Sequence, residues 1–342
     1  MEHIAIDLGG RESHLCIRQA DGVVVEQKRV RTHSLDSVLR AAPPGRVVVE
    51  TSAESFAVAD LARAAGHEVR VVPATVVKAL GVGARRIKTD RRDAEVLSEV
   101  SCRIDLPSVH VPSATARERK SAIAAREALV QARTALINNV RGWLRTQLVK
   151  VPSGGTSSFP TRVRAKLLEQ PEGVPGFIDQ LLLVIETVTE QITRATKSLR
   201  ELADGDEACQ LLRTVPGVGS ITALSYQASL DNITRFPNAH AVESYLGLTP
   251  GEHSSGQRRR RTAITKAGST RTRYLLIQAA WTWWRCHPDD PAIRWARQIE
   301  QRRGRQIAIV ALARKLAGIL YAMWRSWTPY QPARAAQLLT ND

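Results

Sequence analysis

The chain is short of several things, and each shortage removes a class of protein. Its four cysteines, Cys16, Cys102, Cys209 and Cys286, are scattered over 342 residues without metal-ligand spacing. That argues against a disulfide scaffold or a zinc finger and predicts reduced, mostly packed thiols. The opening Met1-Glu2-His3 lacks a basic n-region and an apolar h-region, and no apolar run reads as long enough to span a bilayer. The expectation is a cytoplasmic protein without a membrane partner. Acid is also in short supply: 33 Asp and Glu stand against 49 Lys and Arg, giving a formal net charge of +16 and a pI of about 10.4. A nucleic acid or an anionic membrane is the natural partner for such a chain. What remains is ordinary: 43% hydrophobic residues, and enough length for two or three domains with cores.

Residues 3–30 read as strands. Ile4-Ala5-Ile6 runs into Asp7-Leu8-Gly9-Gly10, and alternating stretches at 13–18 and 23–30 flank Asp21-Gly22 as a hairpin turn. A helix from Ser34, a break at Pro43-Pro44-Gly45, the strand Val47-Val48-Val49 ending in Glu50, a helix over 54–65 and a strand over 69–72 follow. Together they predict an α/β domain with a mixed sheet, finished near Cys102 by a helix carrying Asp90 and Asp93. This first domain is expected to cover residues 1–104. A Pro-containing linker leads into a helical region, 105–205, where Leu129, Leu136 and Trp143 recur every seven residues, as do Ile123, Val130, Ile137 and Leu144. After a flexible break at 152–158, Leu181, Ile185, Val188, Ile192, Ala195, Leu199 and Leu202 alternate spacings of four and three, a coiled-coil seam. The two helices would pair within one chain or between chains; an ordinary bundle core gives the same pattern. Residues 206–330 read as a mainly helical last domain and 331–342 as a tail without signal.

Chemistry concentrates in three places. Lys88-Thr89-Asp90-Arg91-Arg92-Asp93-Ala94 sets two carboxylates three residues apart, on one face if helical. A divalent cation would relieve their repulsion, and Lys88, Arg91 and Arg92 would meet a polyanion; a solvated acid–base helix gives the same spacing. Asp7 and Glu50 stand at the ends of strands, the edge where open α/β sheets bind ligands. Asp7, Glu50, Asp90 and Asp93 together offer four hard oxygen donors suited to Mg2+ at a scissile phosphate. Asp7 ahead of two glycines also simply makes a turn, and the same opening looks like the first phosphate loop of actin-fold sugar kinases, for which no second Gly-rich loop follows. The third place is Ser254-Ser255-Gly256, followed by Gln257 and Arg258 to Arg261. Adjacent guanidiniums can hold a phosphodiester and its developing charge for a serine nucleophile, or the loop only contacts phosphate. Lys266, Arg271 and Arg273 extend the basic stretch, which counts thirteen Lys/Arg against four Asp/Glu over 251–305. Nearby Trp281, Trp283, Trp284 and Trp295 read as core. Val215-Pro216-Gly217-Val218-Gly219 reads either as the turn of a phosphate-holding helix–hairpin–helix or as a structural turn.

These landmarks, in this order, resemble the DEDD transposases of the insertion sequence 110 family over nearly the whole length. The matching stretches are Ile4-Ala5-Ile6-Asp7, Val48-Val49-Glu50, Lys88 to Ala94, the long helix over 126–148, Thr214 to Gly219, Tyr245-Leu246-Gly247-Leu248-Thr249-Pro250, Ser254-Ser255-Gly256 and Ile264-Thr265-Lys266-Ala267-Gly268. The resemblance implies an α/β RNase H-like (RuvC-like) N-terminal domain, an α-helical coiled-coil middle and a mainly α C-terminal transposase domain. It implies a DNA recombinase of a bacterial insertion sequence, guided by a bridge RNA. Asp7, Glu50, Asp90 and Asp93 would bind Mg2+, and Ser255, with Ser254 as the alternative, would attack DNA to give a phosphoserine linkage. Homo-oligomers are implied as well, a dimer and a tetramer in the synaptic complex. Two features depart from the family pattern: the first basic residue after Asp7 is Arg11, and Gln257 with an arginine run follows the Ser-Gly pair where glycines are common. A metal-dependent nuclease or junction resolvase using water shares the four acids without needing Ser255, and a non-catalytic nucleic-acid-binding protein needs neither.

Overall fold

The computed structural model describes residues 1–79, 90–252 and 261–333, with the side chains of Asp90, Arg91 and Arg261 outside that description. Two units emerge, Met1–Pro112 and Ser113–Asp342. In the first, β1 (His3–Asp7), β2 (Glu12–Arg18), β3 (Val24–Arg31), β4 (Arg46–Glu50) and β5 (Glu68–Val72) form one sheet in the order β3-β2-β1-β4-β5. β2 is antiparallel to β1 and β3, whereas β1, β4 and β5 are parallel. Parallel strands covered on both faces need apolar runs, and Ile4-Ala5-Ile6 and Val47-Val48-Val49 are fully buried.

The strand period of two divides those residues between two cores. Ile4, Ile6, Val47 and Val49 pack with Leu35 and Leu39 of α1 (Leu35–Ala41) and with Val58, Ala59 and Ala62 of α2 (Ser55–Ala64). Ala5, Val48 and Val72 face the other way, onto Val77 of α3 (Ala74–Ala79), Leu97 of α4 (Asp90–Arg103) and Leu106. The expected strands, helices and mixed sheet are all present. The unit runs on to Pro112 rather than stopping at 104, because the Val109 N–H donates to Val71 O at 2.8 Å and Leu106 and Val111 are buried in the two cores.

The second unit is mainly helical. It contains α5 (Ala114–Thr146), α6 (Phe159–Leu168), α7 (Gly176–Asp204), α8 (Glu207–Leu212), α9 (Ser220–Leu230), α10 (Ala239–Tyr245), a hairpin of β6 (Pro250–Glu252) and β7 (Arg261–Ile264), α11 (Thr270–Cys286), α12 (Pro291–Arg303) and α13 (Arg305–Ser326). Ser113 caps α5 by accepting from Ala116 N–H. α5 and α7 pack together within one chain. Ile137, Val140 and Leu144 meet Ile178, Leu182 and Ile185, with Phe159, Val163 and Leu167 of α6 closing that end. Arg126 Nε donates to Thr196 Oγ1 at 2.8 Å further along. The buried stripe of α7 keeps Ile185, Ile192 and Leu199 of the expected seam, but Leu182 and Ala203 are buried where Leu181 and Leu202 were expected. A two-helix seam has one partner; α7 also meets α6, α8 and α9, which draws its buried face round. Ile123, Leu199 and Ala203 share one core with α8 to α13, so the expected boundary at 205 falls inside a unit.

α13 corrects another expectation. It has 22 residues, of which an 18-residue stretch has a mean hydropathy of 1.6, long and apolar enough to cross a membrane, and 72% of that stretch is buried inside the protein. Helices apolar all round are core helices or membrane spans. Here Leu312, Leu316 and Leu320 are fully buried, and Ala317 O accepts from Tyr226 Oη at 2.7 Å, as in a core helix.

Candidate active site

The acids at the sheet edge follow from the strand period. Asp7 lies two residues beyond Ala5 and Glu50 two beyond Val48, so both belong to the sheet face covered by α4. Ile6 and Val49 are register partners, which makes the two acids next neighbours on adjacent parallel strands, about 5 Å apart at the backbone. Each is half-buried. The loops that follow them are pinned. Thr32 Oγ1 donates to Gly9 O at 2.6 Å and its N–H to Arg11 O at 2.9 Å. The Thr51 N–H donates to Val72 O at 2.9 Å, and Thr51 Oγ1 accepts from the Ala74 N–H at 3.1 Å.

α4 brings the third acid. Asp93, Leu97 and Ser101 are spaced by four and share one face. Ser101 Oγ bonds His3 Nδ1 at 2.8 Å, Leu97 packs in the cluster with Ala5, and Asp93 is 8% exposed. The helix therefore runs antiparallel to β1. Eight helical residues rise about 12 Å and four strand residues about 13 Å, so with Ser101 at His3, Asp93 is carried to the level of Asp7. Ser98 strengthens the seating: its Oγ accepts from Arg18 Nε at 3.2 Å and donates to Glu95 O at 2.7 Å. Burial, followed by the charges of Arg46 and the N-terminus, pushes the His3 pKa below its ordinary value, which favours the neutral ring beside Ser101. Asp90 is the first residue of α4, one turn before Asp93. Hard carboxylate oxygens on one face at one edge fit Mg2+ by donor chemistry. Among the described residues, however, no three His, Cys, Asp or Glu form a group that could hold a metal ion; Asp7, Glu50 and Asp93 alone do not close a shell.

A cleft of about 930 Å³ opens beside this edge on the α2 side, lined by Gly10, Arg11, Glu12, Arg31, Thr32, His33 and Glu54 among others. Arg29 lies 3.4 Å from Glu12. Arg11, the first basic residue after Asp7, is thus placed next to the edge.

The serine half of the expected site is bounded rather than described. Ser254, Ser255, Arg258, Arg259 and Arg260 lie outside the described residues, as do Lys88 and the side chains of Asp90, Arg91 and Arg261. The hairpin carrying the loop is fixed at its ends: Glu252 pairs with Arg261 and Pro250 with Ile264. Below it the turns at Gly247 and Gly268, with φ of +67° and +65°, press together so closely that a Cβ on either would collide with the backbone of the other segment, Ala267 or Tyr245. Arg273 locks this base. It is 6% exposed, and its guanidinium donates to Leu246 O at 3.0 Å, Ala267 O at 2.7 Å and Thr270 Oγ1 at 3.3 Å. A buried guanidinium holding carbonyls is a clamp, which corrects its expected role in phosphate contact. Lys266 and Arg92 are exposed, whereas Arg271 is half-buried, with an Nε that has no hydrogen-bond partner among the described residues. Trp283 and Trp284 are core. Gly217 has φ +86° and sits against the backbone of Ala279 and Trp283, so the Pro-Gly turn is a packing device of α11.

A sheet in this order, with acids at the ends of β1 and β4 and on the helix crossing them, defines an RNase H-like α/β unit joined to a mainly helical one. Comparison with known proteins makes this particular. Residues 4–148 match a transposase family model of the DEDD insertion sequence 110 type, and residues 209–293 match the model described as Transposase IS116/IS110/IS902 family. The chain is 31% identical over 315 residues to a probable family 20 transposase of Pseudomonas aeruginosa, covering 90% of this chain and 92% of that protein. It is 28% identical over 326 residues to the transposase for insertion sequence element IS1111A of Coxiella burnetii (94% and 88% covered), and 26% identical over 336 residues to that for IS1328 of Yersinia enterocolitica (96% and 98%). The chain belongs to the IS116/IS110/IS902 family of insertion-sequence transposases.

Proposed function

We propose that this transposase cleaves and exchanges DNA strands through a covalent serine–DNA intermediate at a Mg2+-binding site. What supports the reading is that Asp7 and Glu50 stand at the ends of neighbouring parallel strands, on the sheet face covered by α4, and that Asp93 is buried on α4 with Asp90 one turn before it. Those four carboxylates would hold the metal, which supplies charge stabilisation at the phosphate oxygens. Ser255 Oγ forms a bond to phosphorus as the bond to one bridging strand oxygen breaks; the serine proton is lost and the leaving oxygen gains one. Attack by a strand-end hydroxyl on the phosphoserine reverses the sequence on a new partner, so the ester conserves the bond energy. Lys266, Arg92 and Arg258 to Arg261 would contact phosphates.

The remaining parts of the reading are guidance by a bridge RNA, action in the bacterial cytoplasm on the nucleoid, and a dimer that becomes a tetramer at synapsis. Self-association is supported by a second α7 stripe, Phe177, Leu181, Val184, Val188, Ala195 and Leu202, left partly or wholly exposed at coiled-coil spacing. The acid geometry serves a water nucleophile equally well, so the test is Ser255→Ala in a strand-exchange assay, with Ser254→Ala as its companion. The expected result is DNA binding without joining or a covalent protein–DNA product. Joining at the wild-type rate by both variants would refute the covalent mechanism; cleavage without joining would favour a hydrolytic enzyme.

A further inference from the structure

The register of the first sheet sets a histidine beside the acid edge. Asp7 on β1 is paired across the antiparallel ladder with His14 on β2, and His14 in turn with Arg29 on β3. Residues directly opposed in an antiparallel pair show their side chains on one face, with Cβ atoms about 4.5–5.5 Å apart. That face is the one under α4, as the strand period shows twice. Ala5, two residues before Asp7, packs with Leu97, and the Sγ of Cys16, two residues after His14, lies 3.2 Å from Ser98 Oγ. Asp7, His14 and Arg29 therefore form one row across the sheet, and Glu50 continues it on β4. The row runs from two carboxylates through an imidazole to a guanidinium.

Packing does not account for His14. The two buried histidines of this unit use their ring nitrogens inside it: His3 Nδ1 bonds Ser101 Oγ at 2.8 Å, while His67 Nδ1 accepts from the Gly45 N–H at 3.1 Å and its Nε2 donates to Leu39 O at 2.8 Å. His14 is half-buried, and among the described residues neither of its ring nitrogens has a hydrogen-bond partner. Arg29 is exposed. Its ion pair with Glu12, at 3.4 Å and open to solvent, is of the kind that contributes little in water, and a phosphate can replace it. Strands lie about 4.8 Å apart, so His14 stands about 5 Å and Arg29 about 10 Å from Asp7 along the row.

We infer that His14 and Arg29 grip the DNA strand beside the scissile phosphate, His14 by donating a ring N–H to a phosphate oxygen and Arg29 through its guanidinium, and so set which phosphodiester enters the acid edge. The neutral imidazole keeps one N–H donor, so the grip needs no protonated ring. The inference rests on the acid edge acting on DNA, as proposed above, and DNA is the occupant because the row continues that edge.

The experiment has a binding arm and a cutting arm, both on the full-length protein. Without divalent metal, a single-stranded DNA oligonucleotide carrying the element end is titrated over a salt series, beside an RNA of the same sequence. Arg29→Gln should make the slope of log K against log salt shallower by about 0.7 on the DNA. His14→Phe should weaken DNA binding by about tenfold with the slope unchanged, and His14→Gln, which keeps an N–H donor, should restore most of it. In cells carrying the element, sequencing of the DNA products reads the cut. His14→Phe with Arg29→Gln should spread cutting over neighbouring phosphodiesters, a change that lost stability alone does not produce. If His14→Phe melts early, Arg29→Gln alone carries both arms. Unchanged DNA binding with an unshifted cut would overturn the grip, as would a response confined to the RNA, or a His14→Gln variant as impaired as His14→Phe. Asp93→Asn is the separate check on the acid edge: cutting that survives it refutes that reading, while the binding arm still decides the grip.

Discussion

Changing Arg273 to lysine keeps the charge and removes the fork. In the structure its two terminal nitrogens serve three acceptors, Leu246 O, Ala267 O and Thr270 Oγ1, inside the second unit. An ammonium on a flexible stem reaches one of these and leaves the other carbonyl buried without a donor. Charge-assisted bonds contribute about 1.5 kcal/mol each at the low end of their range, so losing two costs about 3 kcal/mol. For a unit of this size each kcal/mol moves the melting temperature by about 2–4 °C, which gives a fall of about 6–12 °C. Calorimetry of the full chain without nucleic acid reads that number, and a salt series below the transition reads the other possibility. If Arg273 were a phosphate contact, Lys would leave the melting temperature unchanged and Gln would lower the salt slope by about one. That pair of results would refute the clamp.

Two further outcomes concern the first unit. Leu97→Ala removes a side chain 3% exposed between α4 and the sheet and should cost about 2–5 kcal/mol; hydrogen exchange over residues 1–112 should rise while tryptophan fluorescence keeps its unfolding transition, since all seven tryptophans lie beyond 112. The His3 pKa is lowered by burial first and by the Arg46 and N-terminal charges next. The unfolded chain therefore binds the extra proton first, and stability of this unit should fall as pH drops below about 6.5 and level off once the folded His3 is also protonated. Hydrogen exchange at about pH 7 and pH 5.5 checks this, and His3→Gln should flatten the difference.

Much of the first unit was legible because its signals are local. Val47-Val48-Val49 can only be a covered strand, and an acid directly after it has no packing explanation, so Glu50 stood out. Asp90 and Asp93 shared a face by spacing alone. Where the reading failed, the missing information was three-dimensional. Arg273 was counted with the basic residues around it, although Leu276, Ala280 and Trp283 follow at three, seven and ten residues and are buried. Its place on that apolar stripe was the available signal, and charge outweighed it. The α7 seam was read as a pairing with one partner, and the real helix has several.

The acid edge also shows how precision can be built without a rigid loop. Asp93 owes its level on the sheet to contacts well below it: Leu97 in the core, Ser98 against Arg18, and Ser101 against His3, 98 residues away in sequence. A slip of one helical turn would carry Asp93 about 5.4 Å along β1, out of reach of the Mg2+ site proposed for it, where ligand distances would be about 2.1 Å. Such a slip would also replace Leu97 in the core by Asp93 or Ser101, burying a polar group where the sheet offers Ala5 and Val48. The register is therefore protected by the same side chains that bury α4, and the even spacing of Asp93, Leu97 and Ser101 ties the chemistry of the edge to the stability of the core beneath it.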